Sequence, residues 1–154
     1  MRDFKIKEQE SLSGDMARIY SVILDGDTNT LLEQFFEENQ SYTKALNKIL
    51  QKLYVMAHEI GCKRSLFKEG EGDLEDGMVA INHTGTLRLY GIYFNDTLII
   101  LGSGGYKPPQ VRAYQDYPPL FEKAQQMKDI AKEIYRRIKN RELKIGQDGT
   151  IREL

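Results

Sequence analysis

The sequence predicts an α+β fold: a small, mainly antiparallel sheet with an N-terminal αα-hairpin and a C-terminal helix. Two observations predict it. Strand-like segments after residue 78 are joined by short polar turns, and such turns connect antiparallel neighbours. Three other segments carry apolar residues at spacings of three and four, which places those residues on one face of a helix. Helices that bury such a face on a sheet form an α+β domain.

The first strong strand signal runs from Met16 to Leu24, where β-branched and apolar residues dominate. Before it, Phe4 and Ile6 fit either a short strand or a loose arm. After it, the Asp25-Gly26-Asp27 turn ends the strand. This segment is expected to be largely buried.

Two helices are predicted next. Thr28 or Asn29 fits the N-cap of a short first helix, because a side-chain oxygen at that position accepts a backbone N–H of the first turn. Ser41 fits the N-cap of a longer second helix, and Gly61 fits its stop. The two helices are expected to form an αα-hairpin on the sheet.

The second half of the chain supplies most of the predicted sheet. Met78 to Ile81 fits a short strand, and Leu87 to Phe94 alternates in the manner of a half-buried strand. Thr97 to Leu101 returns after an Asn-Asp turn as a nearly continuous apolar run, which indicates a central strand covered on both faces. Pro118-Pro119 then opens the last helix, because proline is well tolerated in a first helical turn.

The composition indicates an ordinary globular protein. The chain has 154 residues, of which 40% are hydrophobic and 29% charged, so we expect one domain over residues 1–154. Residues 1–15 are expected to form an N-terminal arm. Residues 141–154 are expected to form a C-terminal tail, either a small hairpin around Gln147-Asp148-Gly149 or a frayed end. With no apolar run near the roughly 20 residues that span a bilayer, and no signal peptide, a cytoplasmic protein without membrane contact is predicted.

The charge is distributed unevenly along the chain. Residues 1–85 contain 10 Lys and Arg against 15 Asp and Glu, whereas residues 86–154 contain 12 against 8. A basic half of this kind can follow a phosphate backbone, even in a chain whose net charge is −1. The alternative is a charged helix face that contacts only solvent.

Metal-ligating residues are scarce. His58, His83 and Cys62 are too few and too scattered for a zinc site, and a single cysteine cannot form an internal disulfide. We therefore expect no metal and no cofactor. His83 lies in a predicted turn, where it is either a turn residue or an acid or base.

A glycine-rich loop, Gly102 to Lys107, is predicted after the last strand of the sheet. The backbone N–H groups of Gly104 and Gly105 would be able to bind a phosphate, with Lys107 as the positive charge. The spacing does not match a Walker A loop, and Pro108-Pro109 prevents a helix from starting there. The alternative is a segment that needs glycine for its backbone conformation.

Two further groups of residues are candidates for binding or catalysis. Arg88 is a charge within an apolar strand, so it either faces solvent or meets an acid or an anion, and Tyr90 shares its face. Arg112, Tyr114 and Gln115 combine a cation, an aromatic ring and an amide, which suit phosphate, base stacking and a base edge. The alternative for Arg88 is that it is only the polar member of an alternating strand. The alternative for the second group is that its polar side chains contact solvent before a helix cap while Tyr114 packs into the core.

The stretch LRLYGIYFNDTLIILGSGGYKPPQVRAYQDYPPLFEKAQQMKDIAKEI resembles the RelE/HigB-like toxins of bacterial type II toxin–antitoxin systems, including their phage-derived relatives. The resemblance lies in a strand arginine within a Leu-Arg-Leu-Tyr context, a hairpin strand that ends in glycine and lysine, and a C-terminal helix. It covers residues 16 to 140 approximately and is specific from about Leu87 to Ile134.

The resemblance implies a small metal-independent endoribonuclease, an mRNA interferase that cuts mRNA, usually on the ribosome, and is silenced by an antitoxin protein. In such a site Arg88, Lys107 and Arg112 would match the catalytic cations, and Tyr114 would match the tyrosine that positions the nucleophile or stacks on a base. Tyr90, Gly104, Gly105 and Gln115 would then contact the substrate. Tyr114, Lys107 and His83 all remain candidates for the general base.

Two other functions stay open. One is a non-catalytic module of the same fold that binds a protein partner or nucleic acid. The other is an enzyme that acts on a small molecule, which would need a deep pocket beside Gly104 and Lys107.

Overall fold

The computed structural model describes residues 1–67, 77–83, 87–111 and 116–154. The described part contains seven strands and three α-helices, with a π-helical turn at Met56–Ile60 and a short 3₁₀ turn at Arg64–Leu66. In chain order the elements are β1 (Phe4–Glu8), β2 (Arg18–Leu24), α1 (Leu31–Glu38), α2 (Thr43–Val55), β3 (Met78–His83), β4 (Leu87–Asn95), β5 (Leu98–Tyr106), α3 (Pro118–Lys139), β6 (Leu143–Ile145) and β7 (Ile151–Glu153).

The first five strands form one mixed sheet in the order β1-β2-β5-β4-β3, and β6 and β7 form a separate hairpin. β1–β2, β3–β4 and β4–β5 pair antiparallel, whereas β2 and β5 pair in parallel from Arg18 opposite Leu98 to Tyr20 opposite Ile100. The prediction of an α+β fold with a mainly antiparallel sheet is thus confirmed at that level. The parallel pair makes the sheet mixed.

β5 is central, as its apolar run predicts. It continues to Tyr106, so the loop predicted from Gly102 is wrong for Gly102 to Tyr106, whose backbone pairs with β4. Leu98, Ile99, Ile100 and Leu101 are all fully buried. Leu98 and Ile100 belong to the core that α3 covers, and Ile99 and Leu101 belong to the core on the opposite face. Successive side chains of a strand point to opposite faces, so a strand covered on both sides must be apolar throughout.

The helices cover the two faces of the sheet. α3 packs mainly on β5 and β4, and its Ala124, Met127, Ile130, Ala131 and Ile134 are fully buried. On the other face, α1 contacts β5 and β2, while α2 contacts β3. α1 and α2 follow one another in the chain but pack mainly against different strands.

The helix starts differ from the sequence prediction. α1 is capped by Thr30, whose side chain accepts the Glu33 backbone N–H while Glu33 accepts the Thr30 N–H; this capping box moves the start past Thr28 and Asn29. The N-cap of α2 is Tyr42, which makes no capping hydrogen bond with its side chain. The predicted Ser41 cap is therefore wrong by one residue. Gly61, with φ of +81°, ends the π-helical turn that follows α2.

Both ends of the chain join the fold. Residues 4–8 pair with β2, so the strand is the correct alternative for the N-terminal segment. Residues 143–153 form the hairpin β6–β7 around the Gln147-Asp148-Gly149 turn, so the hairpin is the correct alternative for the tail. The Tyr20 hydroxyl donates to the Gly149 carbonyl at 2.7 Å, which fixes this hairpin to the sheet. No helix in the described part is long and apolar enough to cross a membrane.

Candidate functional site

Four of the predicted site residues meet where β4 begins and β5 ends. Arg88 lies directly opposite Gly105, and its neighbour Leu89 lies opposite Gly104. Lys107 follows the last residue of β5, whose partner is the first residue of β4. The antiparallel pairing therefore brings Arg88, Gly104, Gly105 and Lys107 together. We call these four residues the β4–β5 corner.

An irregularity in β5 shapes the corner. Leu89 pairs with Gly104 and Gly91 pairs with Leu101, so β5 contains one residue more than β4 in this interval. The Ser103 hydroxyl donates to the Gln126 side-chain oxygen of α3 at 2.6 Å. A Cβ at Gly102 would overlap the side chain of Met127. The bulge is thus held against α3, an arrangement that the sequence did not predict because Gln126 is 23 residues from Ser103.

The two central glycines of the corner have different surroundings. A Cβ at Gly104 would overlap the backbone carbonyl oxygen of Arg88, so this position excludes a side chain. A Cβ at Gly105 would have no atom within 4 Å. Because directly opposite residues share a face of the sheet, that open space lies on the same face as the Arg88 side chain.

Arg88 is a buried cation. Its exposed fraction is 2%, so it does not face solvent, and its regular pairing with β3 places it on the face that α3 covers. It is not without a partner. Removing a guanidinium from water is costly unless its N–H donors have hydrogen-bond partners. The Arg88 guanidinium is therefore held by protein groups and not by water. Within the described residues, the open space beside Gly105 lies on the same face of the sheet as Arg88.

Tyr90 and Lys107 are also buried. Tyr90 has no exposed surface and belongs to the core between the sheet and α3, so a substrate has no access to its ring in this structure. Lys107 is 9% exposed and, like Tyr90, has a partner. The residue before it, Tyr106, stacks on Tyr42 with ring centroids 5.3 Å apart and planes 8° apart. This stack ties the end of β5 to the start of α2.

Arg112, Tyr114 and Gln115 lie outside the described residues. Their proximity to the β4–β5 corner stays a prediction, based on their position five to eight residues after Lys107. Of the eight predicted site residues, four meet at the corner and Tyr90 lies on the same strand and face as Arg88.

A second polar cluster lies at the other end of β4, around Asp96. The Tyr93 hydroxyl donates to Asp96 at 2.7 Å, and Lys63 donates to the same carboxylate at 3.1 Å. Partial burial is the larger cause, and the hydrogen bond to Asp96 the second, of a rise in the pKa of Tyr93 to about 12. Burial raises the pKa of the neighbouring Cys62 thiol to about 12, so it is not a thiolate nucleophile at neutral pH. The hydrogen bonds to Asp96 therefore hold Tyr93 and Lys63 against the β4–β5 turn.

Other kinds of site find little support in the described part of the chain. There, no three His, Cys, Asp or Glu side chains are grouped so as to hold a metal ion. Grooves of about 280 to 510 Å³ lie along the N-terminal residues, α3 and the C-terminal hairpin, and neither Gly104 nor Lys107 lines them. The deep pocket that a small-molecule enzyme would need at the corner is therefore not among these grooves.

Comparison of the chain with protein-family models, with curated proteins and with solved structures finds no match. Function must therefore be argued from the residues and their geometry.

Proposed function

We propose that this protein is a toxin-like endoribonuclease of the RelE/HigB type, which cuts mRNA by a metal-independent attack of a ribose 2′-hydroxyl on its own phosphate. The observation that carries the proposal is the β4–β5 corner. Two cationic side chains, Arg88 and Lys107, come from adjacent strands beside a glycine that leaves open space next to Arg88. Cations fixed beside open space suit phosphoryl chemistry, because they can stabilise the charge on a phosphate.

The catalytic groups would come from the β4–β5 corner and from the residues that follow Lys107. A general base takes the proton of the 2′-hydroxyl, the oxygen attacks the phosphorus, and the 5′-oxygen leaves with a proton from a general acid. Arg88 and Lys107 would stabilise the extra negative charge of the phosphorane. Arg112 and Tyr114 would complete the catalytic set, and Gln115 would contact a base. Tyr114, Lys107 and His83 remain the candidates for the base.

The RelE/HigB-like arrangement, with its N-terminal αα-hairpin, belongs to the same proposal. It is supported by the element order from β2 to α3, which is a strand, two helices, three strands and a helix. An antitoxin protein as inhibitor, the ribosome as the place of cleavage and a location in the cytoplasm follow from this proposal and depend on it.

Induction in a bacterial host tests the proposed activity. We expect the wild type to stop growth and translation, and Arg88→Lys or Lys107→Gln to relieve the arrest. Gly105→Leu should also relieve it, because the added side chain fills the space beside Arg88 without meeting other atoms at its Cβ. Lys144→Gln, at an exposed position on β6, is the matched control and should still arrest growth.

Purified protein gives the chemical test. RNA incubated with the wild type in the presence of a chelator should yield fragments with 2′,3′-cyclic phosphate and 5′-hydroxyl ends. Circular dichroism and thermal unfolding establish that each variant is folded. A folded wild type that neither cleaves RNA nor affects translation would contradict the nuclease proposal.

The burial of the corner favours one alternative, a non-catalytic module of the same fold that binds a protein or nucleic acid. Arg88 is 2% exposed and Lys107 is 9% exposed, so the two cations can also serve to hold the end of the sheet together. In that case Gly105→Leu would change neither growth nor translation. The stability of Arg88→Lys would fall while every cellular readout stayed as in the wild type.

A further inference from the structure

The outer face of α2 carries a row of lysines. Lys44, Lys48 and Lys52 are four residues apart, so they rise along one side of the helix at intervals of about 6 Å. Lys44 and Lys48 are exposed, and Lys52 is half-buried. The sequence contains no Asp or Glu between Glu38 and Glu59. The face is therefore uniformly positive in a chain whose net charge is −1.

The lysine row has no acidic partner within the described residues, where none of the observed ion pairs includes Lys44, Lys48 or Lys52. By contrast, Arg136 and Arg137 on α3 both pair with Glu133. Like charges four residues apart destabilise an isolated helix, and only Lys52, in the last turn, interacts favourably with the helix dipole. The uncompensated charge of the row is suited to an anionic partner.

An exposed aromatic pair lies on the same outer surface, separated from the lysine row by exposed amides. Tyr54 is 59% exposed, and its ring stacks on that of His58 with centroids 4.5 Å apart and planes 27° apart. His58 belongs to the π-helical turn Met56–Ile60. Such turns are rare in proteins, and those that occur are often found at functional sites. At 100° per residue, the exposed amides of Asn47 and Gln51 lie between Tyr54 and the lysines. The face thus combines cations, amides and a ring with a free surface.

The lysine row begins next to the β4–β5 corner. Tyr42 stacks on Tyr106, Lys107 follows Tyr106 directly, and Lys44 comes two residues after Tyr42. The start of α2 therefore lies near the end of β5, on the sheet face opposite the Arg88 side chain.

We propose that this outer face of α2, formed by Lys44, Lys48, Lys52, Asn47, Gln51 and Tyr54, binds single-stranded RNA. The lysines contact successive phosphates, and Tyr54 stacks on an unpaired base. An acidic polypeptide or an anionic membrane would use the lysines but would leave the Tyr54–His58 stack and the amides without a role, so RNA fits the whole face best. The inference rests on the proposed RNA substrate but does not require cleavage.

Binding of a fluorescent 2′-O-methyl oligonucleotide tests the proposal, because that RNA cannot be cleaved through its 2′-oxygen. For a strand of roughly 20 nucleotides, the triple variant K44Q/K48Q/K52Q should bind at least about tenfold more weakly, and its affinity should depend less on salt, by about two units of the log–log slope. Glutamine keeps nearly the helix propensity of lysine, so the helix should remain folded. The matched control K132Q/K139Q/K144Q removes three exposed lysines from α3 and β6 and should bind as the wild type does.

The aromatic ring has its own test. Tyr54→Ala should weaken binding by at least about fivefold with an unchanged salt slope, whereas Tyr54→Phe should retain the affinity, because the ring rather than the hydroxyl stacks on a base. Equal affinity of both triple variants would overturn the proposal. It would also be overturned if polyglutamate or anionic vesicles bound through the α2 lysines while RNA did not.

The outcomes also separate this inference from the nuclease proposal. RNA binding that depends on α2, without any cleavage of ordinary RNA, would contradict only the nuclease. If the α2 variants cleave RNA and bind RNA as the wild type does, only the proposal of an RNA-binding surface on α2 is contradicted.

Discussion

At the start of β4, two adjacent glycines of the opposite strand decide how Arg88 is held. Gly104 brings the backbone of β5 against the Arg88 carbonyl, and Gly105 leaves space beside the Arg88 side chain. The sequence shows both residues only as members of a glycine-rich segment. Their separate roles follow from the register of β4 and β5, which no local pattern within the segment specifies.

Alanine at the two glycines should give opposite results. Gly104→Ala should lower the free energy of unfolding by roughly 1–3 kcal/mol, because the new methyl group forces two backbone segments apart. Gly105→Ala should change it by less than about 0.5 kcal/mol, since the methyl group enters open space. Urea unfolding followed by circular dichroism measures both values. Similar losses for the two variants would mean that the close approach at Gly104 does not exist.

Arg88 and Tyr90 lie on one buried face of β4. The position of Arg88 in an apolar strand predicts a cation that either faces solvent or meets an acid or an anion. The structure excludes the first alternative, because 2% of the residue is exposed. Tyr90 was predicted to share its face, and the regular pairing of β4 with β3 confirms this. Alternation alone does not reveal that α3 covers that face so completely.

Among the described elements, the C-terminal end of α3 carries a network of ion pairs. Glu133 accepts hydrogen bonds from Arg136 and Arg137, each at 2.8 Å. Arg136 also reaches Glu142 at 2.9 Å, and Arg137 reaches Asp3 at 3.1 Å. The network connects α3 to both ends of the chain. The hydrogen bonds from the two arginines lower the pKa of Glu133 to about 2.

This pKa predicts a dependence of stability on pH. The folded state lowers the pKa of Glu133 from 4.5, so its contribution is fully present above that value and is lost as the pH falls from about 4.5 through 2. Glu133→Gln should have a lower melting temperature at neutral pH and a shallower decline over that interval. The effect should be modest, because the network is partly exposed to solvent.

Thermal unfolding by circular dichroism between pH 2 and 7 measures this dependence. Glu122→Gln, at an exposed position of the same helix, is the control and should follow the wild-type curve. Identical curves for Glu133→Gln and the wild type would show that the network does not contribute to stability in solution.

Both α1 and α2 begin later in the chain than their local sequence predicts. Thr28, Asn29 and Thr30 all have side-chain oxygens that suit an N-cap, and Glu33 favours Thr30 because a capping box requires a spacing of three. For α2, the stack of Tyr42 on Tyr106 accompanies a start one residue later than the Ser41 cap predicts. The partner Tyr106 is 64 residues away in the sequence, so no local pattern identifies the contact.

In the whole molecule, the C-terminal hairpin completes the core rather than trailing from it. Leu143 is buried in the cluster between the sheet and α3, and Gly149 accepts the hydrogen bond from Tyr20. Thr97, in the β4–β5 turn, also donates to the Gln147 carbonyl at 2.8 Å. Residues 141–154 thus contact strands from both halves of the chain.

Removal of residues 141–154 should therefore destabilise the entire protein. We expect a loss of about 3 kcal/mol or more, because the deletion exposes the site of Leu143 and removes the acceptor of Tyr20. Tyr20→Phe, which loses only the hydrogen bond, should cost about 1 kcal/mol. Urea unfolding measures both, and a truncated protein as stable as the wild type would show that the hairpin is not part of the cooperative unit.

The sequence by itself determined the elements whose signals are local. The alternation of β4, the apolar run of β5 and the spacing in α2 and α3 are consequences of how successive side chains leave a strand or a helix. The α+β class, the central place of β5 and the candidate residues Arg88, Gly104, Gly105 and Lys107 all followed from these patterns.

Only the tertiary structure decided how distant segments meet. The parallel pairing of β2 with β5, the bulge held by Ser103 and Gln126, and the burial of Arg88 and Tyr90 join residues that are far apart in the sequence. Such contacts depend on register and on which helix covers which face, and a one-residue slip would exchange the two faces of a strand. The meeting of Arg88 with Lys107 beside Gly105, which supports the proposed nuclease, depends on that register.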